Sequence, residues 1–149
     1  LVQALEQSEE LLKNTLALDE EAVAEGIETI HQEMASILQY NSENSLACTL
    51  LLAYYSAKAY YLTLIQELPT GKGFADVVYL PKRAEEKTYP ALVIELKWNQ
   101  SAEGAIRQIR KKQYAAWIEG YTGEILLVGI NYDTKEKRHS CVMERHVKK

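Results

Sequence analysis

Glu95 and Lys97 stand two residues apart in the run Val93-Ile94-Glu95-Leu96-Lys97-Trp98. In an extended strand, residues at i and i+2 leave the same face, so an acid and a lysine project together from an otherwise apolar strand. A charge buried in such a strand needs a counter-charge or a metal. Asp76 lies nineteen residues earlier, in Gly73-Phe74-Ala75-Asp76-Val77-Val78. Antiparallel pairing across a hairpin can set it beside Glu95. Two carboxylates that close repel each other, and one pKa rises unless a cation neutralises the pair. The hard divalent cations Mg²⁺ and Mn²⁺ suit oxygen ligands of this kind. The chemistry that follows is phosphodiester hydrolysis, with the scissile phosphate held on the cation and a water acidified beside it. Lys97 would stabilise transition-state charge or orient the attacking water. The competing reading is a plain Glu95–Lys97 salt bridge with Asp76 at a strand end, because bare triplets of this kind arise by chance. Context favours the site: the triplet falls in a core strand, an acid-bearing strand precedes it and a basic helix follows.

These residues need a sheet to hold them. Two acidic helices are expected first. One spans about 2–15, with Leu5, Leu11 and Leu12 apolar, and the other is capped by Asp19, with Val23, Ile27, Ile30, Met34, Ile37 and Leu38 at helical spacing. A third helix over about 43–58, capped by Asn41 or Ser42, is apolar on most sides and reads as buried. Strands are predicted over 59–67 and 74–80 around a turn at 68–73, and over 91–98 after a charged loop at 81–89. Ser101 can cap a helix over 102–119 that ends at Gly120. A strand over 124–130, apolar after Glu124, follows, and residues 140–145 offer a further one. Short links make the first three strands an antiparallel meander, and the helix after them permits a crossover to a parallel partner. The expected class is α/β, a mixed sheet flanked by helices.

The segments GKGFADVVYLP, PALVIELKWN, AIRQIRKKQY and LLVGINYD resemble the PD-(D/E)XK nuclease superfamily. More narrowly, they look like the nuclease-like domain at the C-terminus of a group of bacterial AAA-ATPase-like proteins. The resemblance covers about 41–133. It implies a restriction-endonuclease-like core, with residues 41–149 as the nuclease-like domain and 1–40 as a helical extension or linker. Asp76 matches the superfamily's first acid, Glu95 the second and Lys97 the lysine. Glu43 is the best match for the further glutamate drawn from the first core helix, with Glu67 its rival. The peptide carbonyl of Leu96 would join the metal shell. The helix after the catalytic strand contributes polar residues beside such sites, which singles out Gln108 and Lys112 for the phosphate or nucleophile. Tyr114 can stack on a base or sugar. Arg107, Arg110 and Lys111, and Lys72 in the turn before Asp76, are further substrate contacts through backbone phosphates. Each of these also reads as an ordinary residue of a solvated basic helix face. One departure is Ala75, which stands where the superfamily's motif has proline. Gly71-Lys72-Gly73 is too short for a phosphate-cradling P-loop, and no Walker A motif occurs.

The 149 residues suit one domain. Their net charge of −4 is unevenly spread: residues 1–45 hold ten acids and one base, whereas residues 46–149 hold sixteen bases and eleven acids. An acidic leader thus precedes a basic body compatible with a polyanion. Cys48 and Cys141 lack metal-ligand spacing and read as buried or inert thiols of a reducing cytoplasm. His31, His139 and His146 are scattered and read as surface residues. Tyr54-Tyr55 and Tyr60-Tyr61 read as core and rim. No apolar run reaches membrane-spanning length, and the absence of an initiator Met suggests a piece of a longer cytoplasmic protein. The leading expectation is a Mg²⁺- or Mn²⁺-dependent nuclease acting on nucleic acid, DNA foremost, with an ATPase domain in the same parent chain. The alternative is a nuclease-fold module that binds nucleic acid or a protein with little hydrolysis. A homo-oligomer built through the N-terminal helices is the third reading.

Overall fold

The computed structural model describes residues 2–38, 50–67, 74–85, 88–111 and 123–146. Helices α1 (Val2–Leu16) and α2 (Glu20–Leu38) open the chain as expected. Leu18, at a positive φ of 58°, makes the turn between them. Asp19 caps α2, accepting from the Ala22 amide at 3.1 Å. The periodic positions Leu11, Leu12, Val23, Ile27 and Ile30 are all buried. They form one face of a continuous core, as an amphipathic spacing requires.

Of the third predicted helix, residues 43–49 lie outside the described residues. Residues 50–53 are helical, and the chain then tightens into a 3₁₀ helix at Tyr55–Ala59. This segment is more two-sided than expected: Leu50, Ala53 and Tyr54 are buried, whereas Leu52 is 39% exposed. The tyrosines divide as expected, with Tyr54 and Tyr61 in the core and Tyr55 on the surface. Thr15 ties α1 to this segment through the Tyr54 hydroxyl at 2.8 Å, and Ser8 through the Ser56 amide at 2.8 Å.

The described residues form five strands, β1 (Tyr61–Glu67), β2 (Phe74–Pro81), β3 (Ala91–Trp98), β4 (Ile125–Asp133) and β5 (Arg138–His146). They lie in that order in one sheet, antiparallel except for the parallel pair β3–β4. The meander and crossover expected from connection lengths are therefore present, in a mixed α/β architecture consistent with a restriction-endonuclease-like fold. The crossover runs through α3 (Ala102–Lys111), whose remaining predicted turns lie outside the described residues. Strand β1 starts two residues later than expected, because the 3₁₀ helix occupies the chain to Ala59. Strands β4 and β5 are longer than expected, because their hairpin turn is tight. Asp133 Oδ1 accepts from the Lys135 and Glu136 amides, and Lys137 takes a positive φ.

The sheet has two different faces. One packs Leu92, Ile94 and Leu96 of β3 and Leu126, Val128 and Ile130 of β4 against the N-terminal helices. The other packs Val93 and Leu127 against Ile106 and Ile109 of α3. Two amides of the edge strand β5 are covered by α2. Glu20 Oε2 accepts from the Met143 amide at 2.6 Å and Glu28 Oε2 from the His139 amide at 3.0 Å. Eight residues of helix rise ~12 Å and four residues of strand span ~13 Å, so the two glutamates match the two amides in pitch. Edge amides protected in this way do not pair with other chains.

Candidate active site on the β2–β3 ladder

The ladder between β2 and β3 pairs Asp76 directly with Glu95, and Phe74 with Lys97. Directly opposed residues share a face, with Cβ atoms about 4.5–5.5 Å apart. In the neighbouring ladder Glu67 is the partner of Asp76, after a register irregularity between Ile65 and Glu67. On the other side, the parallel register sets Gly129 opposite Glu95 and Asn131 opposite Lys97. One row across four strands therefore reads Glu67, Asp76, Glu95, Gly129. The adjacent row brings Lys97 and Asn131 together. Glu95 is fully buried, Lys97 is 6% exposed and Asn131 5%. Three polar side chains in a sheet interior are costly to desolvate unless partners or an ion satisfy them.

Gly129 explains how the helix closes on this row. A Cβ there would stand 2.4 Å from the Ala102 carbonyl oxygen and 3.0 Å from Ile106. The first turn of α3 rests on bare backbone next to Glu95. The turn that delivers the helix is clamped from several sides. Ser101 Oγ caps it, accepting from the Gly104 amide at 2.9 Å, and Asn131 Oδ1 accepts from the Gln100 amide at 2.9 Å. Asn99, at a φ of 55°, accepts from the Thr134 amide at 2.8 Å through its side chain. Ala102, Ala105, Ile106 and Ile109 form the buried stripe of α3. Its N-terminus, where helical amides present partial positive charge, thus lies beside the carboxylate row.

The remaining sequence candidates fall in different places. Leu96 turns its side chain into the opposite core, which leaves its carbonyl as the group it can offer. Gln108 is partly exposed on α3 and Arg107 is exposed. Arg110 is exposed and bonds Glu144 of β5, with Nε at 3.2 Å from Oε2. An exposed pair of this sort holds the guanidinium weakly. Lys111 closes the described part of α3. Glu43, Lys72, Lys112 and Tyr114 lie outside the described residues, as does Cys48. Cys141 is free, and burial, with Glu20 adding to it, pushes its thiol up to about 12.

The histidine expectation is wrong for two of the three. His31 and His139 are 5% and 9% exposed, and their ring centroids lie 4.9 Å apart. Tyr132 packs against both rings, at 4.7 and 4.6 Å. His139 Nδ1 sits 2.5 Å from Glu28 Oε2. Burial, with His139 adding to it, lowers the His31 pKa to about 4 against the pull of Glu28. Burial also lowers that of His139, opposed by its hydrogen bond to Glu28. The sequence held a signal for this. His31 continues the four-residue spacing of Val23 and Ile27 on α2, and His139 alternates with Cys141 and Met143 on β5, so each belongs to an inward face.

A family model described as the PD-(D/E)XK nuclease superfamily matches residues 41–141, which take in β1 to β4 and the start of β5. No curated protein matches the chain.

Proposed function

We propose, from the premise that this chain belongs to the PD-(D/E)XK nuclease superfamily, that it is a metal-dependent nuclease domain working through Asp76, Glu95 and Lys97. The observation behind the reading is register: two acids are direct cross-strand partners, and the lysine stands two residues along the buried strand. Two carboxylates at paired positions of neighbouring strands, Glu95 of them buried, are an oxygen donor set that fits a hard divalent cation, Mg²⁺ or Mn²⁺. Asp76 and Glu95 would hold it, with the Leu96 carbonyl beside them. Glu43 is the proposed additional acid, with Glu67, in the same row, its rival. Bound there, such a cation supplies Lewis acidity toward the phosphodiester and lowers the pKa of the attacking water. Lys97, with little room to move in the sheet, holds positive charge beside the reacting phosphate without reorganisation. The α3 N-terminus adds partial positive charge to the same end.

DNA is the preferred substrate. Arg107 and Gln108 on α3 would grip its backbone, with Lys111, Lys112, Tyr114 and Lys72 as the further contacts the family likeness suggests. The likeness of these motifs to domains carried by AAA-ATPase-like proteins supports an ATPase in the same parent chain in the cytoplasm. In that arrangement the nuclease-like unit starts near residue 41 and residues 1–40 dock onto it as a helical extension.

Incubating the chain with plasmid, single-stranded DNA and RNA, with and without Mn²⁺ or Mg²⁺, tests the reading. Cleavage should need the metal and fall at least 100-fold in Glu95→Gln. Metal-dependent cleavage that survives Glu95→Gln would refute it. Retained nucleic-acid binding with no cleavage would put a binding module in its place.

A further inference from the structure

Glu28, His31 and His139 each offer a ligand atom, and those atoms lie within 4.8 Å of one another. We propose that this trio is a second metal site, for a borderline divalent cation of the Zn²⁺ type, separate from the carboxylate row.

The donor set selects the ion. Two imidazoles and one carboxylate suit Zn²⁺ or Co²⁺ far better than Mg²⁺, which prefers oxygen alone. Metal–nitrogen and metal–oxygen bonds near 2.1 Å place donors on one ion about 3–3.5 Å apart. The trio therefore needs adjustments of roughly 1 Å, within the reach of side-chain rotation. Glu28 and His31 are i,i+3 neighbours on one face of α2. The helix is fixed to β5 by the Glu20 and Glu28 bonds to the Met143 and His139 amides. The ligands therefore come from elements already locked together.

His139 adds an independent observation. Its side chain is fully buried, and its Nε2 has no hydrogen-bond partner among the described residues. Its Nδ1 faces Glu28. A carboxylate on one ring nitrogen fixes the tautomer and turns the other nitrogen's lone pair toward a metal. A structural latch accounts for the Nδ1 contact but leaves the buried Nε2 unexplained. Glu28 is needed either as a ligand or as the group that orients the ring. With 22% of its side chain exposed, it also gives an ion access from solvent.

The two sites lie on opposite faces of the sheet. His139 pairs with Tyr132, which belongs to the core under the N-terminal helices. Lys97 and Asn131 occupy the alternate positions of their strands, on the α3 side with Glu95. Metal binding at the trio would tie α2 to β5, stabilising the docked N-terminal helices.

Equilibrium dialysis of the full chain against micromolar Zn²⁺ in excess Mg²⁺ tests the assignment, with His31→Gln, His139→Gln and Asp76→Ala in parallel and circular dichroism confirming that each folds. His31→Gln leaves the Glu28–His139 contact in place, so it separates ligation from the latch. One equivalent of Zn²⁺ should bind to the parent chain and to Asp76→Ala, and at least tenfold more weakly to each histidine variant. Co²⁺ should give visible absorption that the histidine variants lose. Absence of a Zn²⁺ equivalent would overturn the proposal, as would one that survives His31→Gln or disappears with Asp76→Ala.

Discussion

The carbonyl oxygen of Ala102 occupies the space that a side chain on Gly129 would need, 2.4 Å from where its Cβ would stand. Glycine at this position lets α3 settle against the sheet in the row that holds Glu95. Gly129→Ala should force the helix outward. Overpacking of this kind costs about 1–3 kcal/mol, or several degrees in Tm for a chain of this size. Thermal unfolding followed by circular dichroism measures it, and an unchanged Tm would mean that the contact relaxes freely.

Lys97 and the two acids should separate in their effects. The lysine is not a ligand in the proposed mechanism, so Lys97→Met should keep Mn²⁺ affinity within a few-fold. Cleavage should fall by 100-fold or more, in line with the loss of a transition-state donor. Parallel calorimetry and cleavage assays distinguish this from a role for Lys97 in binding the ion.

The glutamates of α2 make a prediction about stability alone. Glu20 accepts from the Met143 amide on an edge strand, and hydrogen bonds to charged groups contribute about 1.5–3 kcal/mol. Glu20→Ala should lower the urea midpoint by a corresponding amount and, by uncovering the β5 edge, increase self-association at high concentration. Urea titration and light scattering read the two effects.

The buried histidines predict a pH dependence in metal-free protein. His31 titrates at about 4 in the fold and near 6.5 when unfolded, and His139 shifts in the same direction. Around His31 stand Glu28 on its own helix and His139 and Tyr132 on the strands. The unfolded chain therefore binds more protons between pH 6.5 and 4, and stability falls as pH drops through that window. Replacing His31 with Gln should flatten the decline. Urea midpoints measured from pH 7.5 to 4.5 in chelator decide the matter.

Much of the fold was legible because its signals are local. The apolar run at 91–98 matched β3 residue for residue, and Ser101 and Asp19 capped the helices assigned to them. Spacing alone also proposed that Asp76 and Glu95 are cross-strand partners, which the β2–β3 register bears out. What local pattern could not supply was the neighbour from elsewhere in the chain. Glu28 meets His139 across 111 positions, so the histidines read as scattered although each lies on an inward face. The row through Glu67 needed the β1 irregularity, and the seat of α3 needed the backbone contact at Gly129. Neither leaves a mark in composition or period.

The central claim is that Asp76 and Glu95 together hold a divalent cation. Calorimetric titration of Mn²⁺ into the full chain, with His31→Gln present throughout to remove the second proposed site, tests it most directly. The account predicts one equivalent of Mn²⁺ that both Asp76→Ala and Glu95→Ala abolish while the chain stays folded. Mn²⁺ binding that persists in either variant, or none at millimolar metal in the presence of DNA, would contradict it.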